Sequence, residues 1–363
     1  MNFVFLSPNY PDNYWKFCRR LKENGVNVLG IGDASYDELS QDLTDSLTEY
    51  YRVDNLIDYE QVYRAAAFLS YKYGKIDWIE SMNEYWLYQD AGLRTDFNIK
   101  TGMKNEELAS IKDYVLILKR FAEAGIPVYT RDISAFDITA SPVEAELCSY
   151  DAIVDSHCEP LFESMTVWAP AKDNAVHADT GEIYYTCPDM PAKLRSLGRK
   201  ALKVIGTGSR FMHIEFLRLT KDHGHLGKTG EYIAVNASLC PAGGAAPDMM
   251  NYAHSVDVYK IWADMITTDR RYLDGRLQTA AELKHYTSEN TEDCFCVYAS
   301  RREGPSYVYP ESRIADKFHD VLMMRQKVTD DNGTESIRYA AKLRTQHEVN
   351  TFIRFLHETN PQL

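Results

Sequence analysis

In the first third of the chain, short apolar runs alternate with stretches of 3.6-residue apolar period, the order expected of a parallel sheet covered by helices. The run at 3–6 predicts a short buried strand. A helix starting at Asp12 then places Trp15, Cys18 and Leu21 on one face, and Gly25 ends it before a second strand at 26–31, giving one βαβ unit. A third strand fits 50–53, a helix fits 59–73 with Val62, Ala66 and Leu69 inward, and a fourth strand fits 76–79. The spacing of Val115, Leu118 and Ala122 predicts a helix over 111–124, stopped by Gly125 and followed by a strand over 126–129. Residues 132–146 follow neither period and contain Pro142, so a crossing linker is expected there.

The pattern then changes. Strands at 148–154, 161–168 and 183–186, with a polar turn at 155–160, predict an antiparallel meander. An amphipathic helix over 192–205 precedes strands at 211–219 and 231–235, which are joined by the glycine-rich loop 221–230. Asp248 is expected to cap a single helix running from 249 to about 266. Strands at 295–299 and 337–343 and a helix over 346–357 make a small α+β closing unit. The expected class is therefore α/β followed by α+β, in segments 1–108, 109–146, 147–275 and 276–363.

Charge narrows the partners. Fifty-three acidic against 40 basic side chains give a net charge of −13 in 363 residues, a surface that repels phosphate backbones and anionic lipid headgroups. Nucleic acid and membrane are excluded as expected partners, although a local basic cluster can still hold a nucleotide. The apolar run at 3–6 is too short and has no basic leader for a signal peptide, and no later run is long enough to span a bilayer. Seven cysteines without a CxxC pair fit free thiols, so a cytoplasmic address is expected.

Candidate chemistry lies at strand ends and on strand faces. The loops after the first two strands (Ser7, Pro8, Asn9; Gly32, Asp33) lack a GxGxxG pattern, which removes the usual dinucleotide fingerprint. Asn83 and Glu84 follow the fourth strand, where open α/β sheets bind ligands; they either contact substrate or tie two parts of the chain together. Strand alternation puts His213 and Glu215 on one face, opposite Met212, Ile214 and Phe216, and puts Ala234 and Asn236 together on the neighbouring strand. Glu, Glu and Asn oxygens on two adjacent strands make a hard-cation site suited to Mg2+; here Glu215 and Asn236 are present, but Ala234 has no ligand atom. Gly243, Gly244 and Asp248 read equally as an anion cradle at a helix start or as a turn with an N-cap. His223 and His225 are expected in a polar surface loop, and Cys294 and Cys296 as small packed groups on one strand face.

The order of these motifs resembles the ATP-grasp carboxylate-amine ligases, of the D-alanine:D-alanine ligase and carbamoyl-phosphate synthase large-subunit type. The matching segments are FMHIEF at 211–216, the Ala234-Val235-Asn236 triplet and PAGGAAPD at 241–248, with ESMNEYWLYQDAGLRTDFNIKTG at 80–102 and CSYDAIVD at 148–155 extending the likeness over most of the chain. The resemblance implies a Rossmann-like pre-ATP-grasp domain followed by an ATP-grasp domain. It also implies ATP and Mg2+ as cofactors, Glu215 and Asn236 as metal ligands, Gly243, Gly244 and Asp248 at the cofactor, and Asn83, Glu84 and His213 at the substrate.

The chain departs from that pattern in three places. Ala234 stands where the family has a second glutamate, and the arginine after the asparagine has no counterpart. Residues 127–150, 24 positions, stand where the family has its ATP-binding lobe. Four strands and two helices of typical length need roughly 45 residues before any loop. Thr139, Ala140 and Ser141 fall where the adenine-hinge acids belong. A truncated, weak or inactive ligase is thus expected, acting through a small carboxylate or amine ligand, a complete ligase as partner, or a second copy of itself. The alternative is an active ligase whose nucleotide site is completed by another subunit or an unusual loop.

Overall fold

The computed structural model describes residues 1–129, 143–168, 182–224, 226–283, 293–329 and 333–360. Fourteen strands lie among the described residues. In chain order they are β1 (Asn2–Leu6), β2 (Asn27–Gly32), β3 (Glu49–Arg52), β4 (Trp78–Glu80), β5 (Ala145–Val154), β6 (Pro160–Trp168) and β7 (Ile183–Cys187). They continue with β8 (Arg210–Leu219), β9 (Tyr232–Ser238), β10 (Arg271–Leu273), β11 (Arg276–Gln278), β12 (Phe295–Arg302), β13 (Leu322–Thr329) and β14 (Glu335–Leu343). β1 to β4 form a parallel sheet in the order β3-β2-β1-β4, as the alternating pattern predicts. Its Val4, Leu6, Leu29 and Ile31 face pack against Val62, Ala65, Ala66 and Leu69 of the helix Tyr59–Tyr73.

The opposite face presents Phe3 and Phe5 to the helix Trp15–Glu23 and to the helix Val258–Thr268. Trp262 of the latter meets Phe3 and Phe17 edge-on, with ring centroids 5.7 and 5.1 Å apart. Such pairs contribute ~0.5–1.5 kcal/mol each beyond area burial. The same helix touches Ile153, Leu161, Phe162 and Phe211 of the second sheet, so one aromatic core joins both sheets.

Among the described residues, that second sheet has eight strands in the order β13-β14-β12-β7-β6-β5-β8-β9, and every pairing is antiparallel. The predicted meander is β5-β6-β7. The C-terminal strands β12, β14 and β13 extend the same sheet from β7. The helix Ala192–Ile205 lies over β5 where Gly198 meets Tyr150; a Cβ on Gly198 would stand 2.3 Å from that ring. Among the described residues, no helix is long and apolar enough to cross a membrane.

Several boundaries differ from expectation for local reasons. The helix predicted over 249–266 is two, Ala246–His254 and Val258–Thr268, because Ser255 takes a left-handed conformation (φ 51°) and Asp257 caps a fresh start by accepting from Lys260 N. The apolar period continues across the break, so periodicity alone does not reveal it. The helix predicted over 111–124 is likewise two, Asn105–Lys112 and Tyr114–Glu123, hinged on Asp113. In place of a strand over 126–129 there is a single bridge from Val128 to Ala234. The hairpin β10-β11, the strand β13 and the helix Glu311–Phe318 are additional to the elements expected from sequence. Most of the linker expected over 132–146, with Thr139, Ala140 and Ser141, lies outside the described residues, as does His225.

Candidate functional site

The centre of the large sheet carries polar side chains on one face. Antiparallel register sets Ser149 opposite Glu215 and Asp151 opposite His213, while β6 brings Ser164 beside Asp151 and Thr166 beside Ser149. Asp151 and Ser149 are fully buried, and His213 is 5% exposed. Ser149 Oγ donates to Asp151 Oδ2 at 2.7 Å, Asp151 Oδ1 stands 2.6 Å from His213 Nδ1, and His213 Nε2 stands 3.2 Å from Glu215 Oε1. An ionised carboxylate only accepts, so a ring bonded to one at each nitrogen carries both protons and is an imidazolium.

The electrostatics agree with the geometry. Burial pulls the His213 pKa down, but the Asp151 and Glu215 carboxylates outweigh it and raise the ring to about 10. Burial likewise pushes Glu215 up, yet hydrogen bonds from His213 and Asn236, with the His213 charge, bring it below the ordinary carboxylate range. The result is a closed relay, Ser149–Asp151–His213–Glu215–Asn236, in which one positive ring is shared by two acids. A second polar pair on the same face, Ser164 Oγ and His254 Nε2, lies at 2.9 Å.

The pairing of β8 with β9 corrects the sequence reading. Glu215 is opposite Asn236 but Phe216 is opposite Ala234, so a bulge at Val235 interrupts the alternation. Ala234 therefore packs with Phe216, Met212 and Ile214 in the apolar core, on the far side of the sheet from Asn236. Val235 instead joins Leu217, Leu219 and Ile233. Position 234 does not face the metal-type site at all, and the face it was expected to share offers Glu215 and Asn236 beside apolar neighbours.

A hard divalent cation needs several free oxygens. Here Glu215 Oε1 is committed to His213, Asn236 Oδ1 accepts from Ala237 N at 2.9 Å, and among the described residues no three His, Cys, Asp or Glu side chains are arranged to hold a metal. The donor set does not fit Mg2+.

Glu84 sits at the edge of the same face. Its carboxylate accepts from Ser238 Oγ, at the end of β9, and from Lys112 Nζ, so it ties the turn after β4 to the large sheet. Asn83 caps the short turn Glu84–Trp86 by accepting from Tyr85 N at 3.0 Å. The structure thus brings Glu84, His213, Glu215 and Asn236 into one neighbourhood.

Gly243, Gly244 and Asp248 stand apart from this group. The helix N-cap is Ala245, not Asp248, because Pro247 opens the helix and Asp248 falls in its first turn. There Asp248 accepts from Lys16 Nζ at 2.7 Å, from Asn13 Nδ2 at 2.9 Å and from Tyr259 OH at 2.9 Å, while Gly244 O accepts from Asn13 Nδ2 at 3.0 Å. These contacts fix the loop after β1 and the start of the helix Trp15–Glu23 to the helix Ala246–His254 and the turn before it.

Ser149 and Asp151 are the relay members that sequence reading missed. An acid inside an otherwise apolar strand is a signal in itself, since buried carboxylates require a partner. A second buried cluster was also missed. Arg94 Nη2 and Arg210 Nη2 both reach Glu80 Oε2, at 3.0 and 3.4 Å, beside Asp90, which accepts from Ser81 N and Oγ.

No family model matches the chain, and no curated protein matches it in sequence. Solved structures do match along nearly its whole length. L-amino acid ligase from Bacillus licheniformis has a TM-score of 0.66 at 9% identity, covering 100% of this chain and 99% of its own. Phosphoribosylglycinamide synthetase from Anaerococcus prevotii has a TM-score of 0.63 at 10% identity, with 98% and 97% covered. Biotin carboxylase from Campylobacter jejuni, solved with β-γ-ATP, has a TM-score of 0.57 at 10% identity, with 98% and 90% covered. At these identities the likeness establishes architecture alone: the chain shares the fold of these three enzymes, as the ATP-grasp resemblance implied.

Proposed function

We propose that this chain is a degenerate ATP-grasp homologue, a pseudoenzyme that works by binding a small carboxylate or amine, or a complete ligase, rather than by ATP-dependent ligation. The observation that carries this reading is the chain length between Val128, bridged to Ala234, and the start of β5 at Ala145. Residues 129–144 are all that lie between them, where a lobe of four strands and two helices needs roughly 45. Two further observations support it: β9 supplies no acid beside Glu215, since Ala234 is turned into the apolar core by the bulge at Val235, and His213 already engages the Glu215 carboxylate.

Forming an acyl-phosphate requires metal and cationic groups around the transferring phosphoryl. Each such group lost costs several kcal/mol of transition-state stabilisation, ~100-fold or more in rate. Seven free cysteines suit a cytoplasmic setting. Isothermal titration with Mg·ATP, followed by a phosphate-release assay across a panel of amino acids, tests the reading. Micromolar nucleotide affinity with amino-acid-dependent phosphate release overturns it.

The side-by-side placement of Glu215 and Asn236 favours a second reading, an active ligase whose nucleotide site is completed by another subunit. Under that reading, Glu215→Ala in the purified complex loses activity; full activity in that variant eliminates it.

A further inference from the structure

The far end of the large sheet holds a buried arginine that has no acid partner among the described residues. Arg301 alternates along β12 with Val297 and Ala299, which belong to the apolar core, and therefore lies on the face opposite the relay. It is only 8% exposed. Nη2 donates to Tyr309 O at 2.7 Å, the guanidinium lies 3.7 Å from the centroid of the Tyr307 ring, and Nη1 has no hydrogen-bond partner. Among the described residues, no carboxylate comes within ion-pair distance of it. Burial draws its pKa below the ordinary arginine range, offset only in part by the Tyr307 and Tyr339 phenols.

Arg301 lines a half-open cavity of about 370 Å³, together with Arg302, Arg325, Lys327, Tyr307 and Ile337. Three acids reach the same cavity, and two are already engaged. Glu311 pairs with Arg325, and Glu335 with Lys327 at 2.5 Å, whereas Glu303 is exposed at the rim. Among the described residues, the pairing leaves the Arg301 charge without a counter-charge.

Burying an uncompensated ion costs several kcal/mol, and a guanidinium recovers most when it meets a carboxylate or phosphate through two parallel N–H bonds. Tyr307 covers one face of the guanidinium plane and Nη1 is itself closed to solvent, so an oxyanion reaches its edge as the Tyr307 ring shifts aside. The cavity lies within the ~300–1,000 Å³ range of small-molecule sites, and Ile337 and Pro305 add apolar wall, so there is room for more than a bare inorganic ion.

We infer that this cavity is a binding site for a small organic oxyanion, a carboxylate or a phosphate ester, held by Arg301. The site is separate from the Glu215 relay and does not depend on whether the chain ligates.

Isothermal titration and thermal melting of the full chain with malonate and, separately, with inorganic phosphate test the inference, using chloride at matched ionic strength as the reference. The expected result is saturable binding of at least one probe, with a rise in melting temperature beyond that in chloride. A response to malonate alone marks carboxylate chemistry, and one to phosphate alone marks phosphate chemistry. Arg301→Met should weaken the binding by about tenfold or more, equivalent to ~1.4 kcal/mol. Without ligand, that variant should melt no lower than the parent, since it removes an unpaired buried charge. Arg301→Lys keeps the charge without the fork and should also bind more weakly, which keeps the test decisive if the methionine variant does not fold. Absence of saturable binding by both probes, or equal binding by either variant, overturns the inference.

Discussion

On one face of β8, His213 and Glu215 take part in a chain of buried polar contacts in which each charge has an opposite; on the other, Met212, Ile214 and Phe216 pack against Ala234 with no polar atom to satisfy. The two faces are built from alternate residues of one strand, yet they tolerate opposite changes. Adding a charge is costly on the apolar face, whereas removing one is costly on the relay face, because the partner left behind is buried and unpaired. The bulge at Val235 decides which rule applies to each residue of β9, and it assigns Ala234 to the apolar face.

The largest expected effect comes from restoring the glutamate that the family resemblance places at 234. Ala234→Glu puts a carboxylate into the core beside Phe216 and should cost about 4 kcal/mol or more in urea unfolding, with no gain in Mg2+ affinity. A well-folded variant that binds Mg2+ shows that the residue faces Glu215 after all.

Next in size is His213→Gln, which leaves Asp151 and Glu215 without their shared cation and should cost ~2–3 kcal/mol near neutral pH. Its pH profile sharpens the point. A ring raised from 6.5 to about 10 contributes stability that is fully present below pH 6.5 and is lost as pH rises through about 10. The parent should therefore lose stability across that window more steeply than the glutamine variant. Equal slopes contradict a charged His213.

The smallest effect belongs to the outer polar row, where Thr166 Oγ1 and Thr186 Oγ1 meet at 3.5 Å. Replacing both by valine removes donor and acceptor together and should change stability by under ~1 kcal/mol. A loss as large as that of the His213 variant means that polarity in general, and not the shared charge, holds the face together.

The sequence made one half of this comparison readable. Alternation from 211 to 219 correctly separated His213 and Glu215 from the apolar set, because β8 runs regularly between β5 and that bulge. The same rule failed one strand later, since a bulge without glycine leaves no mark in composition. Asp248 looked like a cap, but Pro247 moved the helix start ahead of it and freed the carboxylate for Lys16 and Asn13. The linking role of Glu84 depends on Ser238 and Lys112, which lie 154 and 28 residues away, and no local pattern encodes such a meeting. Arg301 lies just past the strand expected over 295–299, and nothing local to it signals that the loop carrying Tyr307 covers it.

The central claim is that the Glu215 carboxylate is engaged by a protonated His213 rather than by a metal-bound nucleotide. An NMR titration of the protein with 15N-labelled histidine ring nitrogens, followed with Mg·ATP at millimolar concentration, tests it most directly. The account predicts that both His213 nitrogens remain protonated at pH 8 and that neither resonance moves as Mg·ATP is added. A neutral ring at that pH, or a saturable shift of the His213 signals with Mg·ATP, contradicts it.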